Sequence, residues 1–198
     1  MKKLAPLFAA VLGLVLLAAA PALTANGLPT AIFAGGCFWS MQHDMDPIPG
    51  VVATTVGYSG GHLPNPTYRD VVTETTGHYE SVEVTYDPKK ISYPQLVARY
   101  LRITDPTDKE GAFCDRGASY RPAIFVANPA ERAAAAQAIA AAQPLLRAKI
   151  VTQILPRAAF YPAEDYHQHY AKKNPIAYGE YREGCGKDRV IKAVWGGR

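Results

Sequence analysis

The sequence predicts an α+β protein: a two-layer α/β sandwich with a ferredoxin-like core, a mixed β-sheet, long loops and an irregular C-terminal tail. Three observations lead to this class. Strand and helix patterns follow one another in the order β-α-β-β-α-β, and a further α-β unit overlaps the end of that order. A length of 198 residues with 48% hydrophobic content suits a single core. We place the folded domain at residues 29–198.

Each strand is predicted from a short run of apolar or β-branched residues bounded by turn-forming residues. The third strand also alternates, so that every second side chain points to the same face. In chain order the predicted strands are residues 31–34, 51–58, 78–86, 121–127 and 150–155. Long loops are expected over residues 59–77 and 107–120, and connections of that length often carry functional residues.

The helices are predicted from their starting signals. The first follows Cys37 and continues to about residue 45. The second begins after Ser92, where Gln95 completes the spacing of a capping box. The third follows Asn128, with proline at its first position, and a short helix or turn is expected over residues 163–170.

The N-terminal segment has the features of a secretory signal peptide. Lys2 and Lys3 precede a continuous apolar run over residues 7–20, and small residues occupy the cleavage-determining positions 20 and 22. We expect removal of residues 1–22, with cleavage after residue 25 as the second option. The mature protein is then expected in the periplasm as a monomer without stable membrane association. An uncleaved anchor is the alternative, but the run is short for a bilayer span of about 20 residues.

Charge and motif content exclude several classes of function. The formal charge of +4 falls to +2 without Lys2 and Lys3, which is too little to indicate binding to nucleic acid or an acidic membrane. No phosphate loop or dinucleotide fingerprint is present, so we predict no bound cofactor and expect electrons to arrive by thiol exchange. Glu164, His167 and His169 are expected at the surface or as caps rather than as metal ligands, because histidines two positions apart on a helical turn diverge.

A reactive thiol is predicted within residues 35–40, Gly-Gly-Cys-Phe-Trp-Ser. Cys37 falls at a strand-to-helix turn that the two glycines permit. The start of a helix presents unpaired amide groups and the positive end of the helix dipole, and both favour a thiolate. We therefore expect a lowered pKa for Cys37, which would make it a nucleophile near neutral pH. Phe38 and Trp39 are candidate pocket walls, although one of them can be partly core.

A carboxyl group on the third predicted strand is the second candidate. Alternation places Glu80 on the same face as Val82, Val84 and Tyr86. A carboxyl among apolar neighbours has a raised pKa, because desolvation penalises the anion. Glu80 is therefore predicted to stay protonated and to serve as an acid.

Five blocks of sequence together resemble the A-type peptide methionine sulfoxide reductases. In order they are Gly36-Cys37-Phe38-Trp39; Gly57-Tyr58-Ser59-Gly60-Gly61 with Asn65-Pro66-Thr67-Tyr68; Thr76-Gly77-His78-Tyr79-Glu80; Asp115, Gly117, Tyr120, Arg121 and Ile124; and Glu164-Asp165-Tyr166-His167-Gln168 with Lys173-Asn174-Pro175. They extend over nearly all of residues 32–195, and several ordered blocks at compatible spacing argue against coincidence. Position 40 is often glycine in the family. Here it is Ser40, for which the sequence offers no explanation.

The resemblance implies an enzyme that reduces methionine S-sulfoxide in oxidised proteins or peptides, or as the free amino acid. Cys37 would attack the sulfoxide sulfur and become a sulfenic acid. Glu80 would donate a proton to the departing oxygen, and the hydroxyls of Tyr68 and Tyr120 would hydrogen-bond to that oxygen.

The resemblance also implies how the substrate is held. Phe38 and Trp39 would hold the S-methyl group, and Asp115 would orient or contact the substrate peptide. Tyr178 is a possible auxiliary residue. These positions match the family's motifs, and none of them is assigned from spacing alone.

The two remaining cysteines concern recycling. Cys185 resembles the resolving cysteine of one subgroup, which implies an intramolecular disulfide that a thioredoxin-like donor reduces. Its position on a glycine-flanked tail suits a thiol that must travel to Cys37. Cys114 is left with three readings: a relay thiol, an inert loop residue, or the partner of Cys185 in a permanent bridge, which an exported protein could form. An odd count leaves one thiol unpaired.

Two other classes of function would use the same cysteines differently. A thiol peroxidase would also need Cys37 and a resolving cysteine, but its pocket should be cationic or rich in hydroxyls, whereas Phe38 and Trp39 suit a methyl group. A disulfide-stabilised secreted binding module would have a permanently bridged Cys37, which a titration of free thiols would detect.

Overall fold

The structure, a computed structural model, describes residues 27–196. The predicted signal peptide lies outside the described residues. Within residues 27–196, no helix is both long enough and apolar enough to cross a membrane. The fold is α+β with a mixed sheet, as predicted.

The sheet is built around the predicted β-α-β-β-α-β core. The strands are β1 (Thr30–Ala34), β2 (Val51–Ser59), β3 (Tyr79–Tyr86), β4 (Gly111–Ala112), β5 (Asp115–Arg116), β6 (Ala123–Val126), β7 (Gln153–Pro156) and β8 (Phe160–Pro162). Six of them form the main sheet in the order β7-β6-β1-β3-β2-β8, while β4 and β5 form a separate hairpin. Within residues 27–196, only β6 and β7 pair in parallel, and the other pairs are antiparallel.

The α-helices are α1 (Phe38–Met45), α2 (Tyr68–Val71), α3 (Tyr93–Arg102), α4 (Pro129–Ala142), α5 (Tyr170–Lys173), α6 (Pro175–Cys185) and α7 (Lys187–Trp195). Of these, α1, α3 and α4 begin where the sequence indicated. Ser92 and Gln95 form the predicted capping box of α3. Asn128 caps α4 by accepting a hydrogen bond from the Glu131 N–H at 2.9 Å. The Glu131 carboxylate in turn accepts from the N–H of Ala127, one residue before the cap.

The two faces of the sheet bury different sets of side chains. Along β1, Phe33 points into the main core with α1 and α3, whereas Ile32 and Ala34 point to the opposite face. The register of β1 against β3 places Phe33 opposite Val82. The main core therefore lies between the sheet and the helices, and α1 begins at its edge.

The C-terminal segment is helical, so the prediction of an irregular tail is wrong. Residues 175–195 form α6 and α7, which are separated by Gly186 in the left-handed conformation at φ 64°. Pro175 occupies the first turn of α6. Packing and ion pairs stabilise these helices despite Gly179 and Gly184, whose low helix propensity suggested irregular structure.

The long connections contain short elements that the sequence did not indicate. The loop over residues 59–77 includes α2, which Thr67 caps through a reciprocal box with Asp70. The loop over residues 107–120 contains the β4–β5 hairpin, and β8 pairs with β2 to become an edge strand of the main sheet. The fifth predicted strand begins three residues late, because the Val151 N–H bonds to the Pro106 carbonyl before the chain joins the sheet at Gln153.

Candidate active site

Cys37 is the N-cap of α1, at the strand-to-helix turn that the sequence predicted. Gly36 adopts φ 88°, and a Cβ there would lie 2.9 Å from the Cβ of Ala112. A Cβ at Gly35 would lie 2.7 Å from Cγ2 of Thr104. Close packing therefore requires glycine at both positions, and the backbone conformation also requires it at Gly36. The Gly36 N–H also donates to the Tyr120 carbonyl at 2.9 Å, which ties the turn to a second candidate residue.

The Cys37 thiol is a free thiol in a buried setting, and its side chain is 9% exposed. Burial raises the pKa of Cys37, and the negative charges of Glu80 and Asp115 raise it further. The Tyr181 hydroxyl and the Trp39 backbone N–H act in the opposite direction but are weaker. The expectation of a lowered pKa is therefore wrong: the helix start does face the sulfur, but desolvation outweighs it.

Glu80 is buried on the predicted strand face and is 2% exposed. Its Oε2 accepts a hydrogen bond from the Phe38 N–H at 2.9 Å, which uses one of the unpaired amides at the start of α1. Desolvation raises the pKa of Glu80 to about 8, and the Phe38 hydrogen bond offsets only part of that rise. At neutral pH the group is mostly a carboxylic acid, so a proton donor lies beside the thiol.

Tyr68 and Tyr120 approach Glu80 from the two long loops. The Tyr120 hydroxyl is a hydrogen-bond partner of Tyr68, and both pKa values are raised by burial and by the Glu80 charge. A different carboxylate positions Tyr68: Glu164 accepts a hydrogen bond from the Tyr68 N–H at 2.9 Å, and it also accepts one from the Tyr58 hydroxyl at 2.9 Å. Both tyrosines therefore retain their hydroxyl protons and can serve as donors.

Glu74 positions the segment that carries Tyr120. Its carboxylate accepts hydrogen bonds from the Ser119 N–H at 2.9 Å and the Ser119 hydroxyl at 2.6 Å. Gly117 lies against the same carboxylate, where a Cβ would come within 2.4 Å of Oε1. A side chain at position 117 would therefore displace the loop that presents Tyr120.

Phe38 and Trp39 have different surroundings. Phe38 is fully buried in the main core, whereas Trp39 is only partly buried. The Trp39 indole stacks on Tyr170 with ring centroids 3.8 Å apart and donates to Nδ1 of His167 at 2.9 Å. Phe38 also contacts the His167 ring, at 4.9 Å between centroids. Together these rings form an aromatic wall beside the thiol.

His167 is 1% exposed, so the expectation that it lies at the surface or caps a helix is wrong. Burial lowers its pKa, and the neutral ring accepts from Trp39 through Nδ1. Within residues 27–196 its buried Nε2 has no hydrogen-bond partner. Glu164 instead positions Tyr68, and His169 pairs with Asp46 at 3.2 Å.

Asp115 and Tyr181 lie on the other side of the thiol. The Tyr181 hydroxyl donates to Oδ2 of Asp115 at 2.6 Å and is also a hydrogen-bond partner of Cys37. Burial raises the pKa of Asp115, whereas Tyr181 and the Cys37 backbone oppose that rise. Sequence reasoning missed Tyr181. The available signal was its position one helical turn before Cys185, which required α6 to be predicted as a helix.

Cys114 and Cys185 are joined in a disulfide, with Cα atoms 4.9 Å apart. This was one of the open readings, and Cys185 is the last residue of α6 rather than part of a free tail. Asp115 lies beside the bridge. In the described part of the chain, Cys114, Asp115 and Cys185 are the only three residues of metal-ligating type whose ligand atoms all lie within 4.8 Å of one another. Because the two sulfurs are bonded to each other, neither is a free thiolate that could ligate a metal.

Ion pairs attach the C-terminal helices to α1. Asp44 on α1 pairs with Arg182 and with Lys187, each at 2.9 Å. Lys187 is 2% exposed, and its ammonium lies 5.2 Å from the centroid of the Phe113 ring. Asp44 favours the charged ammonium, although desolvation dominates and the pKa of Lys187 is lowered. Lys187 therefore places a buried amino group, paired with Asp44, within electrostatic range of Cys37.

Ser40 has a structural explanation that the sequence did not provide. Its side chain is buried, and its Oγ lies 3.4 Å from the hydroxyl of Tyr178 on α6. Arg182 donates to the same hydroxyl at 2.9 Å. Tyr178 thus connects α6 to α1, and its hydroxyl is hydrogen-bonded to Ser40 and Arg182.

The family relationship follows from sequence comparison. Residues 29–198 match the family model described as peptide methionine sulfoxide reductase. The peptide methionine sulfoxide reductase MsrA 2 of Caulobacter vibrioides is 57% identical over 198 residues, covering 100% of both chains. The chain belongs to this family.

Solved structures of other family members agree with the fold. Methionine sulfoxide reductase A of Corynebacterium diphtheriae superposes with a TM-score of 0.71 and 38% identity, covering 74% of this chain and 75% of that one. Mxr1 of Saccharomyces cerevisiae, solved in complex with Trx2, superposes with a TM-score of 0.54 and 26% identity, covering 76% and 89%. The residues around Cys37 therefore lie within the methionine sulfoxide reductase fold.

Proposed function

We propose that this protein reduces methionine S-sulfoxide to methionine in oxidised proteins and peptides. One observation carries the proposal: a buried free thiol, Cys37, lies beside a buried carboxyl, Glu80, that stays protonated at neutral pH. Family membership supports the same substrate. A sulfoxide needs both partners, since its sulfur accepts a nucleophile only as its oxygen accepts a proton.

The first step joins these two groups. Glu80 gives its proton to the sulfoxide oxygen while the Cys37 sulfur bonds to the sulfoxide sulfur, and Glu80 regains a proton from the thiol. The hydroxyl then moves from the substrate sulfur to the Cys37 sulfur, so the substrate S–O bond and the transient S–S bond break, methionine leaves, and Cys37 becomes a sulfenic acid. The sulfoxide is thereby reduced by two electrons and Cys37 is oxidised by two. Tyr68 and Tyr120 donate hydrogen bonds to the oxygen as it gains charge.

The raised pKa of Cys37 suits this sequence of events. A thiolate in the resting site would be buried away from water and would face the negative charge of Asp115. A neutral thiol avoids that repulsion and carries the proton that restores Glu80. The thiol is therefore activated when substrate takes up a proton, which protects the resting enzyme from unrelated electrophiles.

The substrate methyl group lies against the aromatic wall. Phe38 and Trp39 supply apolar contact, and His167 fixes the indole through its Nδ1. Asp115 contacts the peptide around the sulfoxide, oriented by Tyr181.

Recycling uses the remaining cysteines. Cys185 condenses with the sulfenic acid of Cys37, which releases water and forms a disulfide. A thioredoxin-like dithiol then reduces the enzyme, as the solved Mxr1–Trx2 complex illustrates for a family member. We also infer export to the periplasm, on the signal-like N-terminal sequence, and a monomeric state.

The proposal is tested with a peptide that carries one methionine sulfoxide as a pure epimer, with dithiothreitol as the reductant. Chromatography of the peptide should show reduction of the S epimer at least about 100-fold faster than of the R epimer. Hydrogen peroxide is tested in a parallel reaction. Preference for the R epimer, or faster consumption of peroxide than of the S-sulfoxide, would overturn the proposal.

A further inference from the structure

We propose that Glu74 is a positioning residue for sulfoxide reduction. Its carboxylate joins the two loops that present Tyr68 and Tyr120 to the sulfoxide oxygen, and the backbone at residue 74 takes an unfavourable conformation to place it there. This inference rests on the proposed function, in which Tyr68 and Tyr120 donate hydrogen bonds to that oxygen.

The backbone of Glu74 is in the left-handed conformation, at φ 62°. This conformation crowds any residue that carries a Cβ, so glycine is the residue that it favours, and another residue persists there only when its surroundings hold it. The same loop has glycine at two other positions of positive φ, Gly60 and Gly77. Glutamate at position 74 is therefore explained by the contacts of its side chain rather than by its backbone.

The backbone of Glu74 is attached to the helix that presents Tyr68. Its N–H donates to the Val71 carbonyl at 3.0 Å, which closes the turn after α2. Tyr68 is the first residue of α2. Residue 74 therefore belongs to the same hydrogen-bonded unit as Tyr68.

The side chain of Glu74 reaches the loop that presents Tyr120. Its carboxylate accepts hydrogen bonds from the N–H of Ser119 at 2.9 Å and from the Ser119 hydroxyl at 2.6 Å. Ser119 directly precedes Tyr120 and is 1% exposed. Gly117 leaves room for the carboxylate, since a Cβ there would lie 2.4 Å from Oε1. One carboxylate therefore joins the loop of Tyr68 to the loop of Tyr120.

The two tyrosines also contact each other and the catalytic turn. Their hydroxyls are hydrogen-bond partners. The Tyr120 carbonyl accepts a hydrogen bond from the Gly36 N–H at 2.9 Å, one residue before Cys37. Loss of the Glu74 carboxylate should therefore shift Tyr120 relative to both Tyr68 and the thiol.

Glu74 also favours the protonated form of the catalytic acid. Burial is the main cause of the raised pKa of Glu80, and the negative charges of Asp115 and Glu74 raise it further, whereas the Phe38 N–H lowers it. The carboxylate that positions Tyr120 therefore acts on Glu80 in a direction that also helps reduction.

The expected effect is on the rate of reduction rather than on binding. Hydrogen bonds from the two tyrosines strengthen as the sulfoxide oxygen gains charge, so their loss raises the transition state more than the bound substrate. A displacement of about 1 Å can cost about 100-fold in rate. Tyr120 keeps its bond to Gly36 when Glu74 is changed, so we expect a smaller loss of about tenfold.

The test measures the rate of the first turnover by rapid quench, with reduced protein and a range of concentrations of a peptide carrying methionine S-sulfoxide. Glycine suits the backbone at position 74, so Glu74→Gly should fold. Its rate constant at saturation should fall about tenfold, while the half-saturating concentration should change less than about twofold. Glu110→Gln is the matched control, because it removes an exposed loop carboxylate that pairs with the adjacent Lys109 at 3.9 Å. This control should keep the wild-type rate.

Three further variants separate the carboxylate from the backbone. Glu74→Ala lacks the carboxylate but keeps the strained conformation, so it should melt at a lower temperature than Glu74→Gly and reduce the sulfoxide at the same rate. Glu74→Gln keeps an oxygen that can accept from Ser119, so its rate should stay within about threefold of wild type. Ser119→Ala should slow wild type but add little to Glu74→Gly, since both changes remove the same contact.

The outcomes separate this inference from the proposed function. A first-turnover rate in Glu74→Gly within about twofold of wild type overturns the role of Glu74. A rate in Glu74→Ala that falls below that of Glu74→Gly also overturns it, because backbone conformation would then be the cause. Equal rates in Glu74→Gln and Glu74→Gly would reject the contact with Ser119 as the positioning contact. Wild type that does not reduce the S-sulfoxide overturns the proposed function instead.

Discussion

The thiol at the start of α1 and the disulfide at the end of α6 are held by different kinds of structure. Cys37 lies between a central strand and a helix, and Glu80 reaches it from the strand next to β1. The disulfide joins Cys114 on a short surface hairpin to Cys185, 71 residues later in the chain. The helices that carry Cys185 are attached to α1 through the ion pairs of Asp44.

This difference separates chemistry from recycling. The inner region, which contains Cys37 and Glu80, buries a thiol and a carboxyl group away from water, and this keeps both protonated, as sulfoxide reduction needs. The outer region, which contains Cys114 and Cys185, keeps its disulfide nearer the surface, where Gly186 separates two helices. Changes in the inner region should therefore alter the chemical step, and changes in the outer region should alter attachment of the C-terminal helices and regeneration of the thiol.

The largest effect is expected from Cys37→Ser. A hydroxyl is a far weaker nucleophile than a thiol, so no methionine should form, even in a single turnover with excess enzyme. Cys185→Ser is the matched control, since it removes a thiol of the outer region and should still form one methionine. Product above background from Cys37→Ser would show that Cys37 is not the nucleophile.

Glu80→Gln should slow the single-turnover rate about 10²-fold, the usual contribution of a general acid. Glutamine keeps the shape and the Phe38 contact but cannot donate an acidic proton. Glu83→Gln on the same strand is the control, because Glu83 faces away from the site and pairs with Arg157 at 2.8 Å. Equal rates for the two variants would argue against an acid role for Glu80.

The same variant has a pH signature in stability. The pKa of Glu80 is raised to about 8 from an ordinary 4.5, so the folded state binds a proton that the unfolded state has released. This group therefore makes the free energy of unfolding fall as pH rises from about 4.5 to about 8. Urea unfolding should show that wild type loses stability relative to Glu80→Gln over this range. Parallel pH profiles would indicate an ionised Glu80.

The outer region is tested with Asp44→Asn. Loss of the carboxylate leaves Lys187 and Arg182 without their shared partner, and hydrogen bonds to charged groups are worth about 2 kcal/mol. The free energy of unfolding should fall by that amount, and protease cleavage within residues 175–195 should increase. Asp188→Asn is the control, since that partner of Arg182 is exposed. Equal rates of protease cleavage in the two variants would show that Asp44 does not attach the C-terminal helices.

The smallest expected effect concerns ionisation of the inner thiol. In a Cys114→Ser/Cys185→Ser variant, the pH dependence of iodoacetamide alkylation should give Cys37 a midpoint above its ordinary value of 9.0. A rise of one pH unit corresponds to a thiolate fraction about tenfold lower at neutral pH. Addition of Glu80→Gln should lower the midpoint, because it removes a neighbouring negative charge. A midpoint below 8 would instead support the lowered pKa that the helix start predicts for Cys37.

Local sequence accounts for most of the inner region. Two glycines, an apolar strand and a helix start predict the turn at Cys37, and alternation along β3 predicts burial of Glu80. The pKa of Cys37 was beyond such reasoning. A helix start is a local feature, whereas desolvation and the charges of Glu80 and Asp115 depend on tertiary packing.

Local sequence predicts much less of the outer region. Gly179 and Gly184 each disfavour a helix by about 1 kcal/mol, and only contacts with distant residues offset that cost. Tyr181 and Lys187 acquire their partners through the same packing, so neither was predicted. His167 was present in a family block, but its burial among Phe38, Trp39 and Tyr68 depends on how three separate segments meet.

The stacking of Trp39 gives the enzyme an intrinsic optical reporter. The chain has two tryptophans, and Trp195 is buried with its indole N–H bonded to the Thr104 carbonyl. Trp39 adjoins Cys37 and is stacked on Tyr170, so its emission depends on the same aromatic wall that receives the substrate methyl group. In a Trp195→Phe background, changes in fluorescence would follow substrate entry and the oxidation state of the neighbouring sulfur in real time.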